Sequence, residues 1–271
     1  METTGVRSTA EVLGEAAKVL AAAGCDTPRT DAETIVADVL GLDPSEMSDA
    51  ERRTVPKAAA RLIEERIDRR RKREPVEYIT GHCRFRSLDL VVDRRVLVPQ
   101  PEFGPLVEAA LPLPQAARVH DVGTGSGAIA LAIKGERGDL VVSGSDISPA
   151  AITVARANAA SLDLDVEFSV ARGLPPGDYA LVIANLPFQD EAGLTLDLAP
   201  EFTDYQPHVA VFAGPDGLEV IRAVLREIPT GTRIATSSAP SQAAVVRALL
   251  ADSEELPGGT AQIAFTVGLV A

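Results

Sequence analysis

The segment Asp121-Val-Gly-Thr-Gly-Ser-Gly127 constrains this chain more than any other. Glycine at every second position lets the backbone turn where side chains would collide, and it leaves the main chain open to close approach by a ligand. An apolar run precedes the turn and a helical one follows it. The same alternation continues to the last residues. Strands are expected over 118–122, 140–145, 166–170 and 179–184, with helices from 126 and over 149–160. A helix over 217–227, a strand over 232–236, a helix over 241–251 and a strand over 262–270 follow. Strands that alternate with helices form a parallel sheet covered on both faces. The expected fold class for 99–271 is therefore a doubly wound α/β domain.

The preceding region is helical in pattern. Val12, Ala16, Val19 and Leu20 share one helical face, as do Ile35, Val39 and Leu40 further on. Gly24, Pro28, Gly41, Pro44 and Pro56 punctuate these stretches, and Leu62, Ile63 and Ile67 give a last helix its apolar stripe. Thr30 and Glu33 read as a capping box that opens the segment to Leu40. Arg69-Arg-Arg-Lys-Arg73 reads as a solvated helix end, because cations suit the negative end of the helix dipole and Pro75 supplies a stop. Residues 1–76 are thus expected to form a small all-helical module. Phe85, Leu88, Leu90, Val92, Val96, Leu97 and Val98 then imply short extended segments, a hairpin over 77–98 that links the two modules.

Composition narrows the partners. A chain of 271 residues with 46% hydrophobic and 24% charged residues is globular and long enough for two domains. A net charge of -13 repels a phosphate backbone, so no direct nucleic-acid contact is expected. No apolar run approaches the ~20 residues that span a bilayer. Residues 1–10 lack the basic start and apolar core of a signal peptide, which makes a cytoplasmic location the default expectation and a membrane none. Cys25 and Cys83 lie far apart without CxxC spacing, and His82, His120 and His208 are scattered. Neither a disulfide framework nor a metal site is expected. Ser237-Ser238 lacks a nucleophile elbow and a partnered base, and reads as a polar strand end.

Two turns carry the chemistry. In the first, Gly123, Thr124, Gly125, Ser126 and Gly127 line up behind Asp121, whose carboxylate would repel a pyrophosphate. It suits the cationic methionine part of S-adenosylmethionine better than the phosphates of a dinucleotide. Asp146 closes the next strand, where an acidic side chain accepts hydrogen bonds from ribose hydroxyls, with Ile147 beside it. The second turn, Asn185-Leu-Pro-Phe188, leaves the strand expected over 179–184. An amide or ring-conjugated nitrogen is a poor nucleophile and must be held in line with the reacting carbon. The Asn185 side-chain oxygen can accept one N–H and the Leu186 carbonyl a second, while Pro187 has no competing donor and Phe188 offers a flat face. Asn185 thus borders both the cofactor and its acceptor.

These residues resemble the HemK/PrmC family, class I methyltransferases that modify the glutamine side-chain amide in a Gly-Gly-Gln loop of peptide-chain release factors. The likeness runs through Glu74-Pro-Val-Glu-Tyr-Ile-Thr-Gly81, Val96-Leu-Val-Pro-Gln-Pro-Glu102, the glycine loop, Asp146-Ile-Ser148, Ala157-Asn158-Ala159 and the Asn185 loop. It ends with Pro200-Glu-Phe-Thr-Asp-Tyr-Gln-Pro-His208 and Gly214-Pro-Asp-Gly-Leu218. It implies a mostly parallel, seven-stranded Rossmann-like sheet and a helical N-terminal domain that helps dock the release factor. S-adenosylmethionine is the implied methyl donor, with S-adenosylhomocysteine as product. Within this family context His208 and Tyr205 are candidates to line the cleft.

Departures from the family pattern bear on the acceptor. Asn-Leu-Pro-Phe stands where the family has Asn-Pro-Pro-Tyr, Gln100 and Phe103 replace an Arg and a Thr, Arg172 occupies the place of an acidic residue near the adenine, and Gln206 replaces a Glu. Three readings follow. One is an N-methyltransferase of a release-factor glutamine, another the same chemistry on a small nitrogen-bearing metabolite, and the third a non-catalytic binding module that keeps the fold.

Overall fold

The computed structural model describes residues 7–43, 46–50 and 53–271, without the side chain of Ser48. The break expected at Pro44, and residues 1–6, lie outside the described residues. The chain forms two compact units, Met1–Gly81 and His82–Ala271.

The first unit is helical: α1 (Thr9–Ala22), α2 (Pro28–Leu40), α3 (Met47–Ala50), α4 (Lys57–Arg71) and α5 (Val76–Thr80). Leu13, Leu20, Ile35, Val36 and Ile63 are buried where α1, α2 and α4 meet. The capping box lies elsewhere than expected. Ser8 and Glu11 form it at α1, each bonding the other's backbone N–H. Thr30 instead sits inside α2, which starts two residues earlier because Pro28 presets the helical φ at the first position. Glu33 is drawn into an ion pair with Arg29. The arginine run is also less solvated than expected. Arg69, Arg70 and Arg71 occupy the last turn of α4, but Arg70 is buried and pairs at 2.7 Å with the buried Asp31 of α2. Desolvating two charges is tolerable because they meet, so this pair joins α2 to α4.

The second unit opens with a hairpin, β1 (His82–Phe85) and β2 (Leu88–Val91), paired antiparallel with Cys83 opposite Leu90. Val96, Leu97 and Val98, expected to be extended strand, run as a loop. The N–H of Val98 donates to Oε1 of Gln206, and this side-chain partner takes the place of a neighbouring strand. There follow α6 (Gly104–Glu108), β3 (Arg118–Val122), α7 (Ala128–Glu136), β4 (Val141–Asp146), α8 (Pro149–Leu162), β5 (Glu167–Val170) and β6 (Leu181–Ala184). Beyond a π-helical turn at Glu201–Tyr205 come α9 (His208–Val211), α10 (Glu219–Glu227), β7 (Arg233–Ser238), α11 (Ala243–Ala248), β8 (Leu250–Glu255) and β9 (Ala264–Val270).

The sheet has seven strands in the order β5-β4-β3-β6-β7-β9-β8. Pairing is parallel from β5 across to β7, and β9 runs antiparallel to both β7 and β8. This is the expected α/β class, with β6 buried at every position as a central strand must be. The helix expected over 241–251 is cut short by β8, whose sequence Leu-Ala-Asp-Ser-Glu-Glu is mostly exposed. Acidic residues on an outer strand deter pairing with other chains, and they erase the apolar alternation that marks a strand.

One buried amide ties the hairpin to the sheet. Asn158 of α8 is fully buried, accepts from the N–H of Val91, and donates to the carbonyls of Val91 and Ser126. Asn158→Ala orphans all three backbone groups, and we expect a loss of about 3 kcal/mol in urea unfolding. Asn158→Asp, which keeps the acceptor but sets its second oxygen against two carbonyls in a buried place, should lose at least as much.

Candidate active site

β3 and β6 are paired neighbours, although the chain visits β4 and β5 between them. Winding runs one way from β3 and resumes on its other side, so the loops leaving β3 and β6 diverge. A crevice opens at such a reversal, at the carboxyl ends of the strands. Here it is a cavity of about 440 Å³.

The glycine loop forms one wall. Gly123 has φ of +74°, and a Cβ there would lie 2.9 Å from Cδ2 of Leu186. The two turns singled out in the sequence are therefore in contact, and glycine is what permits it. Gly125, also at positive φ, faces open space, so a ligand can reach its backbone. Gly127 differs: its Cα faces Phe168, Leu131 and Ala155, which seats α7 against the sheet. Asp121, Gly123, Thr124, Gly125, Ser126, Asp146, Ile147 and Asn185 all line the cavity, and Gly127 does not.

Asp121 is 1% exposed. Its Oδ2 accepts from the Thr124 hydroxyl at 2.7 Å, while Oδ1 is buried without a partner among the described residues. Burial pushes the carboxyl up to about 7, with the nearby Asp146 charge adding to the rise and the Thr124 bond opposing it. Asp146 is held by two backbone donors, Gly125 to Oδ2 at 2.9 Å and Ser148 to Oδ1 at 2.8 Å. Each of its oxygens keeps a second lone pair.

Across the crevice Asn185, Leu186 and Pro187 line the same cavity, and Phe188 does not. Nε2 of Gln242 donates to the Phe188 carbonyl and to that of Asp216, which draws this residue back from the rim. The flat face expected of Phe188 is thus not among the lining groups. Nor is His208, which stacks on Phe212 with ring centroids 4.5 Å apart, or Tyr205, whose ring lies beneath the Arg94 guanidinium. Of the departures noted in the sequence, Phe103 and Arg172 line the cavity. Gln100 and Gln206 are instead spent on the two backbone groups of Val98. His120 lies under the floor between the hydroxyls of Ser143 and Ser145, and burial holds it down at about 4.

Three polar residues were not legible as site residues. Gln242 has no sequence signal, since nothing marks a glutamine just ahead of a short helix as the brace of a loop far behind it. Asn158 stands out only within the Ala157-Asn158-Ala159 stretch. Ser237, read as a polar strand end, donates to Oδ1 of Asn185 at 2.6 Å. Among the described residues no group of three or more His, Cys, Asp or Glu side chains could hold a metal ion. No helix there is long and apolar enough to cross a membrane.

Comparison with known proteins follows the same division. Residues 11–81 match the PrmC N-terminal domain and residues 106–209 match the methyltransferase small domain. The chain is 35% identical to a release factor glutamine methyltransferase of Koribacter versatilis, over 80% of this chain and 80% of that one. The chain belongs to the release factor glutamine methyltransferase family. Further members with the same description are those of Deinococcus radiodurans, 35% identical over 88% of this chain and 89% of that one, and Mycolicibacterium smegmatis, 38% identical over 78% and 75%. Among solved structures the hMettl16 catalytic domain superposes with a TM-score of 0.53 at 13% identity, covering 79% of this chain and 83% of that one. That likeness concerns the fold alone. Membership accounts for the methyltransferase-type sheet and the helical first unit together.

In this family member the raised Asp121 carboxyl gives stability a pH dependence. The folded protein keeps the proton up to about 7, whereas the unfolded chain releases it near 3.8. The stabilisation is complete below the unfolded value and is lost as pH rises through the folded one. Asp121→Asn should gain stability relative to the parent between pH 5 and pH 8, measured by urea unfolding without ligand; parallel pH profiles would refute this.

Proposed function

We propose that the chain transfers a methyl group from S-adenosylmethionine to the side-chain amide nitrogen of a glutamine in a peptide-chain release factor, with S-adenosylhomocysteine as the leaving product and one amide proton lost to solvent. The contact between Gly123 and the Asn185-Leu186 turn carries this reading, because it sets a nucleoside-type loop and an amide-gripping loop on one rim. The named activity of the relatives supports the acceptor.

The residues present fit the cofactor. Asp121 has a buried oxygen with no partner among the described residues, suited to an ammonium group, and Gly125 leaves space for close approach. Asp146, already fixed by two backbone donors, would take the ribose hydroxyls on its remaining lone pairs. Ile147, 49% exposed, offers an apolar face for the base beyond them. When bound, the cofactor supplies an electrophilic methyl carbon on a sulfonium centre.

The protein's task is orientation. Asn185 accepts one amide N–H on its side-chain oxygen and Leu186 the other on its carbonyl, which aims the nitrogen lone pair into the cavity. Leu186 is 6% exposed and packed on Gly123, so the turn is rigid where it meets the glycine loop. Pro187 fixes the backbone beyond it. Holding both hydrogens favours the pyramidal nitrogen of the transition state over the planar amide, the difference that raises a rate. The helical first unit, which matches the PrmC N-terminal domain, is assigned the docking of the protein acceptor.

Incubation with methyl-labelled cofactor and purified release factor should label one glutamine. Asn185→Ala should lower kcat at least ~100-fold while cofactor affinity falls much less. Label on small amides or amines, with none on the release factor, would replace the acceptor. If calorimetry detects no cofactor binding, the binding-module reading stands in its place. Because an ammonium group favours ionised Asp121, cofactor affinity should rise with pH up to about 7 and then level. Asp121→Asn should bind weakly with a flat profile over the same range.

A further inference from the structure

We infer that Ser237 is a positioning residue that acts through Asn185, an inference resting on the reading of Asn185 as the amide grip. β6 and β7 are parallel neighbours with Ala184 opposite Thr236, so the next residues, Asn185 and Ser237, stand side by side just where β6 ends. The Ser237 hydroxyl donates to Oδ1 of Asn185 at 2.6 Å. Ser237 is 5% exposed and is not among the cavity-lining residues, whereas Asn185 is. Its hydroxyl therefore reaches the site through Asn185.

The same strand end holds the backbone as well. The Thr236 hydroxyl donates to the Ala184 carbonyl at 2.7 Å, so the last residue of β6 is bonded from β7 by a side chain beyond the ladder itself. Without Ser237 the Asn185 amide would be free to rotate about its side-chain bonds, and an oxygen that wanders cannot hold a nitrogen in line. An amide oxygen has two lone pairs. Ser237 takes one and fixes its direction, which leaves the other directed for an acceptor N–H. Serine suits this place because it is short enough to stay behind the rim while its hydroxyl donates to the oxygen of Asn185.

The test uses the full chain with S237A, S237T, N185A and the S237A/N185A double variant. S237A should lower kcat about tenfold with KM for the release factor changed less than about twofold, and S237T, which restores the hydroxyl, should recover most of the loss. In the N185A background S237A should cost nothing further, since its effect passes through the missing amide. An equal loss in both backgrounds, or no loss in the single variant, overturns the inference. A second measurement needs no turnover. The side-chain amide resonances of Asn185, assigned by their absence in N185A, should be those of an ordered group in the parent and shift towards averaged values in S237A. Unchanged resonances refute the positioning role whatever the acceptor proves to be. Absence of methyl transfer from the parent, with the resonance shift present, refutes only the assigned function.

Discussion

The close approach of Gly123 to Leu186 is the constraint on which the site depends. It exists because β3 and β6 are adjacent although the chain makes two further strands between them. Two loops far apart in sequence thereby leave the sheet at neighbouring points on one edge. The absence of a side chain at Gly123 removes the last separation between them. In the proposed reaction a methyl donor and an acceptor nitrogen must come within bonding range, and the topology brings the two loops together before any ligand arrives.

Buried polar side chains then fix what the topology brings together. Asn158 uses three hydrogen bonds to join the hairpin and the glycine loop, and Gln242 uses two carbonyls to set the Asn185 loop. Gln206, helped by the half-buried Gln100, does the same for the segment around Val98. Each lies under a loop and not in the apolar core. Loops lack the repeating bonds of a helix or sheet, so their backbone groups need individual partners, and side-chain amides, with both donor and acceptor, supply them.

How much of this was legible in the sequence follows from the range of the forces involved. The α/β alternation was readable because short apolar runs, as in β6, alternate with helical periods, and most of the turns between them carry glycine or proline. The glycine loop and the Asn185 turn were readable because their chemistry is compressed into a few consecutive residues. β8 was not, since an exposed acidic strand is set by its partner β9 rather than by its own pattern. The cap at Thr30 was misplaced because Pro28 fixes the helix start more firmly than a threonine hydroxyl does. The withdrawal of Phe188 depends on Gln242, and the placement of Asn185 on Ser237. Both are contacts across more than fifty positions that no local pattern records.

The antiparallel strand β9 has a consequence for how the protein is made. Ser237 pairs with Phe265 across the β7–β9 ladder, and β9 also carries the outer strand β8. On a ribosome, the glycine loop and its flanking strands emerge long before β9 does. Synthesis from the N-terminus therefore delivers Asp121, Gly123 and Asp146 well before the strand that pairs with Ser237.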